Sequence, residues 1–154
     1  MRKLYFEDLL AIKETKSKLE TPLSICRVGR DIVKGYIDLT LDNHPSHSDQ
    51  RYNIRKGYTD IFIPGFLIPG LSEGFFKKHY EYMVHMNRGF RAKFLRPLFP
   101  DDMIKVIDEI VEAEFDSRLT VDNSNPVKIL RSIINQKDEL VSVLQLDYLI
   151  LGCE

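Results

Sequence analysis

Four ionisable side chains stand close together early in the chain: Asp42, His44, His47 and Asp49. Pro45 lies among them, and a proline both removes a backbone donor and pushes the preceding residue out of the helical region. The segment is therefore predicted to be an extended or turning loop, in which Asp42 and His47 can converge on one point. On a continuous helix their spacing of five would turn the two side chains by roughly 140° relative to each other.

Three kinds of chemistry fit this loop. A carboxylate and an imidazole that converge on one water form a general acid/base arrangement, because histidine exchanges its proton near neutral pH. An H-x-x-H spacing with two carboxylates also fits a metal site. A solvated loop, whose Asp and Asn side chains only cap turns, fits as well. Residue types alone leave acid/base chemistry by Asp42 and His47, metal binding and a plain loop all open.

Two segments with helical periodicity flank the loop. Before it, Asp31 is predicted to be the N-cap of a helix through residue 40. After it, Pro64-Gly65 leads into apolar positions at helical spacing, which predict a helix over 65–86 of about 30 Å. His79 and His85 would lie on this second helix as ordinary histidines far from the loop. The first helix is predicted to face inward with Ile32, Val33, Tyr36, Ile37 and Leu41.

The C-terminal half of the chain changes to a period of two, which is typical of strands with one buried face. Residues 1–22 are expected to form an N-terminal segment with a short helix that packs on the remainder. Long antiparallel strands after one long helix predict an α+β class and a single domain over 1–154. The predicted strands cover residues 23–28, 90–94, 103–115, 127–135 and 140–151.

Composition excludes several partners. The 154 residues include 22 basic and 23 acidic side chains, so no global charge favours nucleic acid or a membrane surface. No run approaches the roughly 18 apolar residues of a membrane span, and no apolar signal core follows the basic N-terminus. Cys26 and Cys153 have neither metal-ligand spacing nor a disulfide framework around them. We therefore expect reduced thiols in a cytoplasmic protein, without metal or cofactor.

Several short motifs follow one another in a familiar order. Residues 42–47, DNHPSH, are similar to a D-x-N-P-x-H motif, with Asp49 at an acidic position two further on. Gly65 matches a glycine that opens a central helix. Residues 94–102 (FLRPLFPDD) are similar to an F-x-x-P-x-x-P-G-D turn. Residues 5–9 (YFEDL) are similar to the N-terminal segment that usually accompanies these motifs. Together these motifs resemble the MaoC-like family of (R)-specific enoyl-thioester hydratases and dehydratases. The chain departs from the family pattern with His44 for Asn, Pro64 for His and Asp101 for Gly.

The resemblance implies a hot-dog fold, in which a long antiparallel sheet wraps around a central helix. It implies a hydro-lyase that interconverts a 2-enoyl thioester and a 3-hydroxyacyl thioester of coenzyme A or acyl-carrier protein, with Asp42 and His47 as the catalytic dyad. Gly65 and Phe66 would hold the thioester oxygen through their backbone N–H groups, with His44 and Pro64 beside the substrate. The family generally forms dimers, which implies a homodimer here.

Two further surfaces follow from the same resemblance. An apolar slot for the acyl chain would be lined by Phe62, Phe66 and Leu67, although each of these side chains fits a core position equally well. A basic rim for the phosphates of the carrier would draw on Arg88, Arg91, Lys93 and Arg96. A thioesterase on the same fold, and a protein that binds acyl thioesters without chemistry, remain as alternative functions.

Overall fold

The computed structural model of the protein describes residues 1–25, 28–115 and 123–153. The helices of this part are α1 (Phe6–Glu14), α2 (Arg30–Thr40), α3 (Pro45–Ser48), α4 (Gln50–Ile54) and α5 (Leu67–Phe76). The strands are β1 (Arg2–Leu4), β2 (Lys18–Glu20), β3 (Ser24–Ile25), β4 (Tyr80–Tyr82), β5 (Val84–Phe94), β6 (Met103–Ala113), β7 (Ser124–Asn135) and β8 (Leu140–Leu151).

One antiparallel sheet dominates the structure. Its strands run in the order β2-β6-β7-β8-β5, and β3 pairs with β6 beside β2. Strands β1 and β4 form a separate parallel pair. The long strands predicted over 103–115, 127–135 and 140–151 are confirmed to within a few residues at their ends, because their period-two pattern matches a sheet that buries one face.

Helix α5 lies against the buried face of the sheet. Its side chains Ile68, Phe75 and Phe76 are each at most 6% exposed, and the Phe76 ring stacks on Tyr82 at 5.0 Å between centroids. Burying an apolar side chain of this size contributes about 1.5–3 kcal/mol. Apolar burial thus fixes the helix on the sheet. From the sheet, the buried apolar side chains include Val106, Ile110, Val127, Ile129, Ile133, Leu144, Leu146 and Ile150.

The helix predicted over 65–86 is wrong in its extent. Helix α5 has 10 residues, which corresponds to about 15 Å. The chain then turns, with the N–H of His79 donating to the carbonyl of Phe76 at 3.0 Å, and enters β4 and β5, so that His85 lies in a strand. Tyr80–Tyr82 pair with Arg2–Leu4, a long-range contact that local periodicity does not reveal. No helix in residues 1–25, 28–115 or 123–153 combines the length and apolar character needed to cross a membrane.

Helix α2 begins two residues earlier than predicted, and more of its surface faces solvent than predicted. Its N-cap is Gly29 rather than Asp31. Val33 is fully buried, but Ile32 is 48% exposed and Leu41 is 79% exposed. The predicted inward face was too broad because α2 packs along a narrow stripe.

The strand predicted over 23–28 is represented by β3, which spans Ser24–Ile25. Cys26 lies outside the described residues. Cys153 is an exposed free thiol.

Candidate active site

Asp42 is positioned by the end of α2. Leu41, the C-cap, takes a left-handed conformation with φ of 60° and ψ of 20°. Its N–H donates to the carbonyl of Ile37 at 2.8 Å, and its carbonyl accepts from the N–H of Asn43 at 2.9 Å. The chain therefore reverses sharply at Leu41, and this reversal presents Asp42 as the first residue beyond the helix.

Within the segment predicted to be an extended or turning loop, residues 45–48 form the single helical turn α3. His44 itself is extended, with ψ of 136°, as a residue before proline should be. Proline is favoured at the first position of a helix, where its missing N–H costs nothing, and Pro45 occupies that position. Nδ1 of His44 accepts from the amide of Ser46 at 3.2 Å and lies 2.8 Å from its hydroxyl. His44 is thus engaged in capping α3.

The two residues of the predicted dyad lie close together. Nδ1 of His47 is 2.9 Å from the carbonyl oxygen of Phe62. Since a carbonyl only accepts, Nδ1 carries the proton and donates, which leaves Nε2 on the other side of the ring. Nε2 lies 3.9 Å from Oδ2 of Asp42. That distance exceeds a direct hydrogen bond, yet a single water at ~2.8 Å from each atom would contact both.

A buried asparagine ties this loop to the segment that carries Phe62. Asn53 is 0% exposed, and its Nδ2 donates to the carbonyls of Ser46 and Asp60, at 2.8 Å in both cases. The N–H of Phe62 donates to the same Ser46 carbonyl at 2.8 Å. Asn53 was missed at the sequence level, because one buried asparagine in the five-residue helix α4 produces no periodic pattern.

The remaining ionisable residues of the loop have local structural partners. Oδ1 of Asp49 accepts from the amides of Arg51 and Tyr52 at 2.8 and 3.2 Å, so that Asp49 caps α4. The ring of His44 lies 6.2 Å from that of His47 and 5.8 Å from that of Tyr52. Across the described residues, no group of three or more His, Cys, Asp or Glu side chains is arranged to hold a metal ion.

A pocket of about 310 Å³, named here the His47 pocket, joins the loop to the start of α5. Phe62, Phe94 and Leu98 also line it. A Cβ placed on Gly65 would lie 3.3 Å from Cε2 of Phe94, so a side chain at this position would crowd the wall. Of the predicted site residues, all within the described part, His47 and Gly65 line this pocket, whereas Asp42, His44, Pro64 and Phe66 do not.

The backbone before α5 presents amide groups near this pocket. The N–H of Leu67 donates to the carbonyl of Pro64 at 2.9 Å, and that of Ile68 to Gly65 at 3.2 Å. Within the described residues, no hydrogen bond uses the N–H of Gly65 or Phe66 as donor. Such amides at a helix start carry the positive end of the helix dipole. Pro64 is buried, and the side chain of Phe66 is 74% exposed.

The predicted basic rim is only partly assembled. Arg96 lines the His47 pocket, and its guanidinium donates to the carbonyl of Leu140 at 3.1 Å. Arg88 lines a different cavity of about 370 Å³. Arg91 and Lys93 are exposed on β5. Arg96 is therefore the one member of this predicted group that reaches the His47 pocket.

A buried charge network, which the sequence analysis missed, lies beneath α5. Nε and Nη2 of Arg131 donate to the two oxygens of Asp108 at 2.8 and 2.7 Å, and Nη1 donates to Glu73 at 2.7 Å. The hydroxyl of Tyr82 donates to Asp108 at 2.7 Å. Both Arg131 and Asp108 are 0% exposed. The pattern did contain a clue, since each charge stands at an inward position of an otherwise apolar strand.

This environment shifts the pKa of several groups. Burial, followed by the charge of Asp108, raises the pKa of Tyr82 well above its ordinary value of 10.0. Burial and then the charge of Glu73 raise the pKa of Tyr148. For Arg131, burial opposes the charged form, but Asp108 and Glu73 outweigh it and raise the pKa further. The network therefore keeps its phenols neutral and its guanidinium charged.

The chain is similar to a dehydratase of known sequence. It is 27% identical over 111 residues to the 3-hydroxyacyl-[acyl-carrier-protein] dehydratase FERN, mitochondrial, of Solanum lycopersicum. The match covers 72% of this chain and 63% of the relative, so the chain spans less than two thirds of that protein's length. No protein-family model matches the sequence.

Solved structures share the architecture over nearly the whole chain. The monoamine oxidase regulatory protein from Archaeoglobus fulgius has a TM-score of 0.76 at 24% identity, covering 100% of this chain and 98% of that one. The MaoC-like dehydratase from Rhodospirillum rubrum has a TM-score of 0.77 at 15% identity, covering 98% and 99%. The (R)-hydratase PhaJ1 from Pseudomonas aeruginosa has a TM-score of 0.67 at 18% identity, covering 90% and 82%. The predicted α+β class and the resemblance in fold are confirmed: the chain has the hot-dog fold of the MaoC-like dehydratases and (R)-hydratases.

Proposed function

We propose that the protein is a hydro-lyase that interconverts a 2-enoyl thioester and a 3-hydroxyacyl thioester, with Asp42 and His47 as its dyad. One observation carries the proposal: the Asp42 carboxylate and the His47 imidazole lie 3.9 Å apart, beside a pocket that His47 shares with Gly65. The name of the tomato relative, a 3-hydroxyacyl dehydratase, supports the same reaction class.

In the hydration direction, the dyad activates one water. The Nδ1–H of His47 is committed to the Phe62 carbonyl, so the unprotonated Nε2 accepts a proton from the water while the Asp42 carboxylate orients it. The water oxygen forms a bond to C3 of the enoyl group, and the proton is returned by the dyad to C2. The hydroxyl group added at C3 and the hydrogen added at C2 together account for one water molecule. Dehydration runs through the same groups in reverse.

Attack at C3 shifts negative charge onto the thioester oxygen. We assign its stabilisation to the N–H groups of Gly65 and Phe66, which precede α5 and have no acceptor within the described residues. A Cβ at Gly65 would meet the Phe94 ring at 3.3 Å, and the absence of a side chain leaves the backbone open to a carbonyl. Removing one donor of this kind typically costs about 100- to 1000-fold in rate.

The experiment follows the absorbance of the conjugated enoyl thioester with crotonyl-coenzyme A and crotonyl-acyl-carrier protein, since the carrier is part of the proposal. Asp42→Asn and His47→Ala are each expected to lower kcat/KM about 100- to 10,000-fold, while the folded proteins keep their circular dichroism spectra. His79→Ala, in the turn after α5, is the matched control. Unaltered turnover in both dyad variants would refute the assignment. Release of free thiol would identify a thioesterase, and binding without product would identify a non-catalytic protein.

We also propose that the protein is a homodimer paired along β5. Among the described strands, β5 pairs only with β8, so its other edge is unpaired. Met86, Phe90 and Phe94 are 50%, 48% and 42% exposed along this edge. Two solved hot-dog relatives, HadBC and ChsH1-ChsH2, are complexes of paired chains.

Light scattering tests the pairing. Phe90→Lys is expected to yield monomer, whereas Leu39→Lys, at an 84% exposed position on α2, leaves the dimer intact. A monomeric wild type would refute the proposal. The cytoplasmic location stays a prediction, and the tomato relative is itself named as mitochondrial.

A further inference from the structure

A second pocket of about 310 Å³ lies between α5 and the sheet and is named here the α5 pocket. Phe66, Gly70 and Glu73 line it from the helix side. Phe90 lines it from β5, and Tyr148 from β8. These helix residues stand three to four positions apart, so they share one face of α5. The pocket thus runs along the helix beneath its first two turns.

The α5 pocket and the His47 pocket are lined by consecutive residues at the start of the helix. Phe66, which lines the α5 pocket, directly follows Gly65, which lines the His47 pocket. The ring of Phe66 lies 6.5 Å from that of Phe94, a wall of the His47 pocket. A chain attached to a thioester at Gly65 would therefore pass Phe66 and enter the α5 pocket.

One end of the α5 pocket is polar, and the Glu73 side chain that lines it is 28% exposed. Oε2 of Glu73 accepts from Nη1 of Arg131 at 2.7 Å and from the hydroxyl of Tyr148 at 3.4 Å. Nε and Nη2 of Arg131 donate to the Asp108 carboxylate. Two carboxylates thus face one buried guanidinium, and the Lys77 ammonium, 3.7 Å from Oε1 of Glu73, is 52% exposed. The Glu73 carboxylate retains lone pairs for a further donor.

We propose that the α5 pocket receives the far end of the acyl group and selects chains that end in a hydrogen-bond donor, such as a hydroxyl, over plain alkyl chains of equal length. The inference rests on the proposed function for the placement of the thioester. An alkyl end would remove water from the Glu73 carboxylate without replacing its hydrogen bond, which is unfavourable. A terminal hydroxyl donates to Glu73 instead, and a terminal carboxylate is repelled by it.

Calorimetric binding of unreactive thioesters tests the selection independently of catalysis. The ligands are octanoyl-, 8-hydroxyoctanoyl- and butyryl-coenzyme A. Wild type is expected to bind the 8-hydroxyoctanoyl thioester about 10-fold or more tightly than the octanoyl thioester, a ratio typical of one hydrogen bond to a charged group. Turnover of the matching 2-enoyl thioesters, measured alongside, reports separately on the hydro-lyase.

Two glycines of α5 provide matched variants. A Cβ on Gly70 or on Gly74 meets no atom within 4 Å, so a Cβ fits at both positions without displacing a neighbour. Gly70 lines the α5 pocket and Gly74 does not. Gly70→Leu is expected to weaken binding of both eight-carbon ligands at least 10-fold and to spare butyryl-coenzyme A, whereas Gly74→Leu changes none of them.

The outcomes separate the two proposals. Equal or tighter binding of the octanoyl thioester by wild type, or Gly70→Leu that binds all three ligands like wild type, overturns the inference even if the enzyme is active. Selective binding that Gly70→Leu abolishes, without turnover of any enoyl thioester, supports the α5 pocket and refutes the hydro-lyase.

Discussion

The loop around Asp42 and the network around Arg131 pair the same kinds of groups in opposite ways. Asp42 and His47 lie 3.9 Å apart, with side chains 38% and 15% exposed. Asp108 and Arg131 lie 2.7 Å apart, with side chains 0% and 1% exposed. The first pair leaves room for one more molecule between its members, whereas the second leaves none. Incomplete pairing near solvent is what we expect of the proposed reactive pair, and complete pairing is what we expect of a structural one.

The difference has a physical origin in solvation. A charge removed from water must be compensated by close partners, because the penalty for burying it unpaired amounts to several kcal/mol. Arg131 meets this need with Asp108 and Glu73, which together join β6, β7 and α5. Asp42 and His47 keep partial solvent exposure, so the proton exchange that we propose for them would require no rearrangement of the fold.

The largest effect on stability is expected from a substitution at Arg131. Arg131→Met leaves Asp108 without its cation, and we expect the free energy of unfolding to fall by about 3–5 kcal/mol. Denaturant titration measures it, with Arg91→Met on the exposed part of β5 as the control. Asp42→Asn should change the same quantity by less than about 1 kcal/mol. A small loss at Arg131 would mean that the network does not hold α5 to the sheet.

Asn53 tests whether the loop has a structural anchor of its own. Asn53→Ala removes the donor to the carbonyls of Ser46 and Asp60. The Ser46 carbonyl still accepts from the N–H of Phe62, whereas the Asp60 carbonyl loses its donor, which costs about 1–3 kcal/mol. Because the His47 ring bonds to the adjacent Phe62 carbonyl, enoyl-thioester turnover should fall with stability. The exposed Asn43→Ala is the control in both assays. Loss of stability with full activity would separate the anchor from the site.

Much of this fold could be read from the chain. The period-two runs predicted β6, β7 and β8, because a sheet with one buried face imposes that pattern directly. The apolar positions between Tyr80 and Met86 misled the prediction, since aromatic residues and methionine fit either period over so few residues. Pairing of Tyr80–Tyr82 with Arg2–Leu4 decided the outcome, and that pairing joins segments nearly eighty residues apart.

The candidate site was predictable in its residue types but not in its conformation. The effect of a proline on the preceding residue correctly predicted that His44 is not helical. The extended or turning loop predicted around it did not specify the helical turn that Pro45 begins. Asn53 could not have been found, because its partners are backbone carbonyls, which carry no sequence identity. Arg131 could have been found, since a charge at an inward strand position requires a buried partner.

Alkaline pH is expected to lower the free energy of unfolding through the buried phenols of this network. The raised pKa of Tyr82 means that the unfolded chain loses this phenolic proton near its ordinary pKa of 10.0 while the folded chain keeps it. Unfolding then releases a proton, so stability declines above about pH 10, by about 1.4 kcal/mol per pH unit for one such group. Tyr148 adds to the decline in the same direction.

Tyr82→Phe distinguishes the contribution of Tyr82 to the alkaline loss of stability from that of Tyr148. Denaturant titrations at about pH 9 and about pH 11 measure the loss of stability between these two values. This loss should be smaller in the variant than in wild type, by roughly the contribution of one phenol. Tyr58→Phe, at a 41% exposed position, should keep the wild-type decline. An unchanged decline in Tyr82→Phe would place the alkaline sensitivity elsewhere in the protein.

The smallest effect on the free energy of unfolding is expected at Leu41, where the unfavourable term is the backbone conformation rather than an unpaired charge. A non-glycine residue in the left-handed region is unfavourable by roughly 1–2 kcal/mol, and Leu41 recovers little of it because its side chain is 79% exposed. Leu41→Gly should therefore raise the free energy of unfolding by about 1 kcal/mol. Leu39→Gly, two residues earlier within α2, should lower it by about the same amount. If both substitutions destabilise the protein, the Leu41 side chain makes contacts that offset its conformation, and the reversal before Asp42 is not a strained point of the loop.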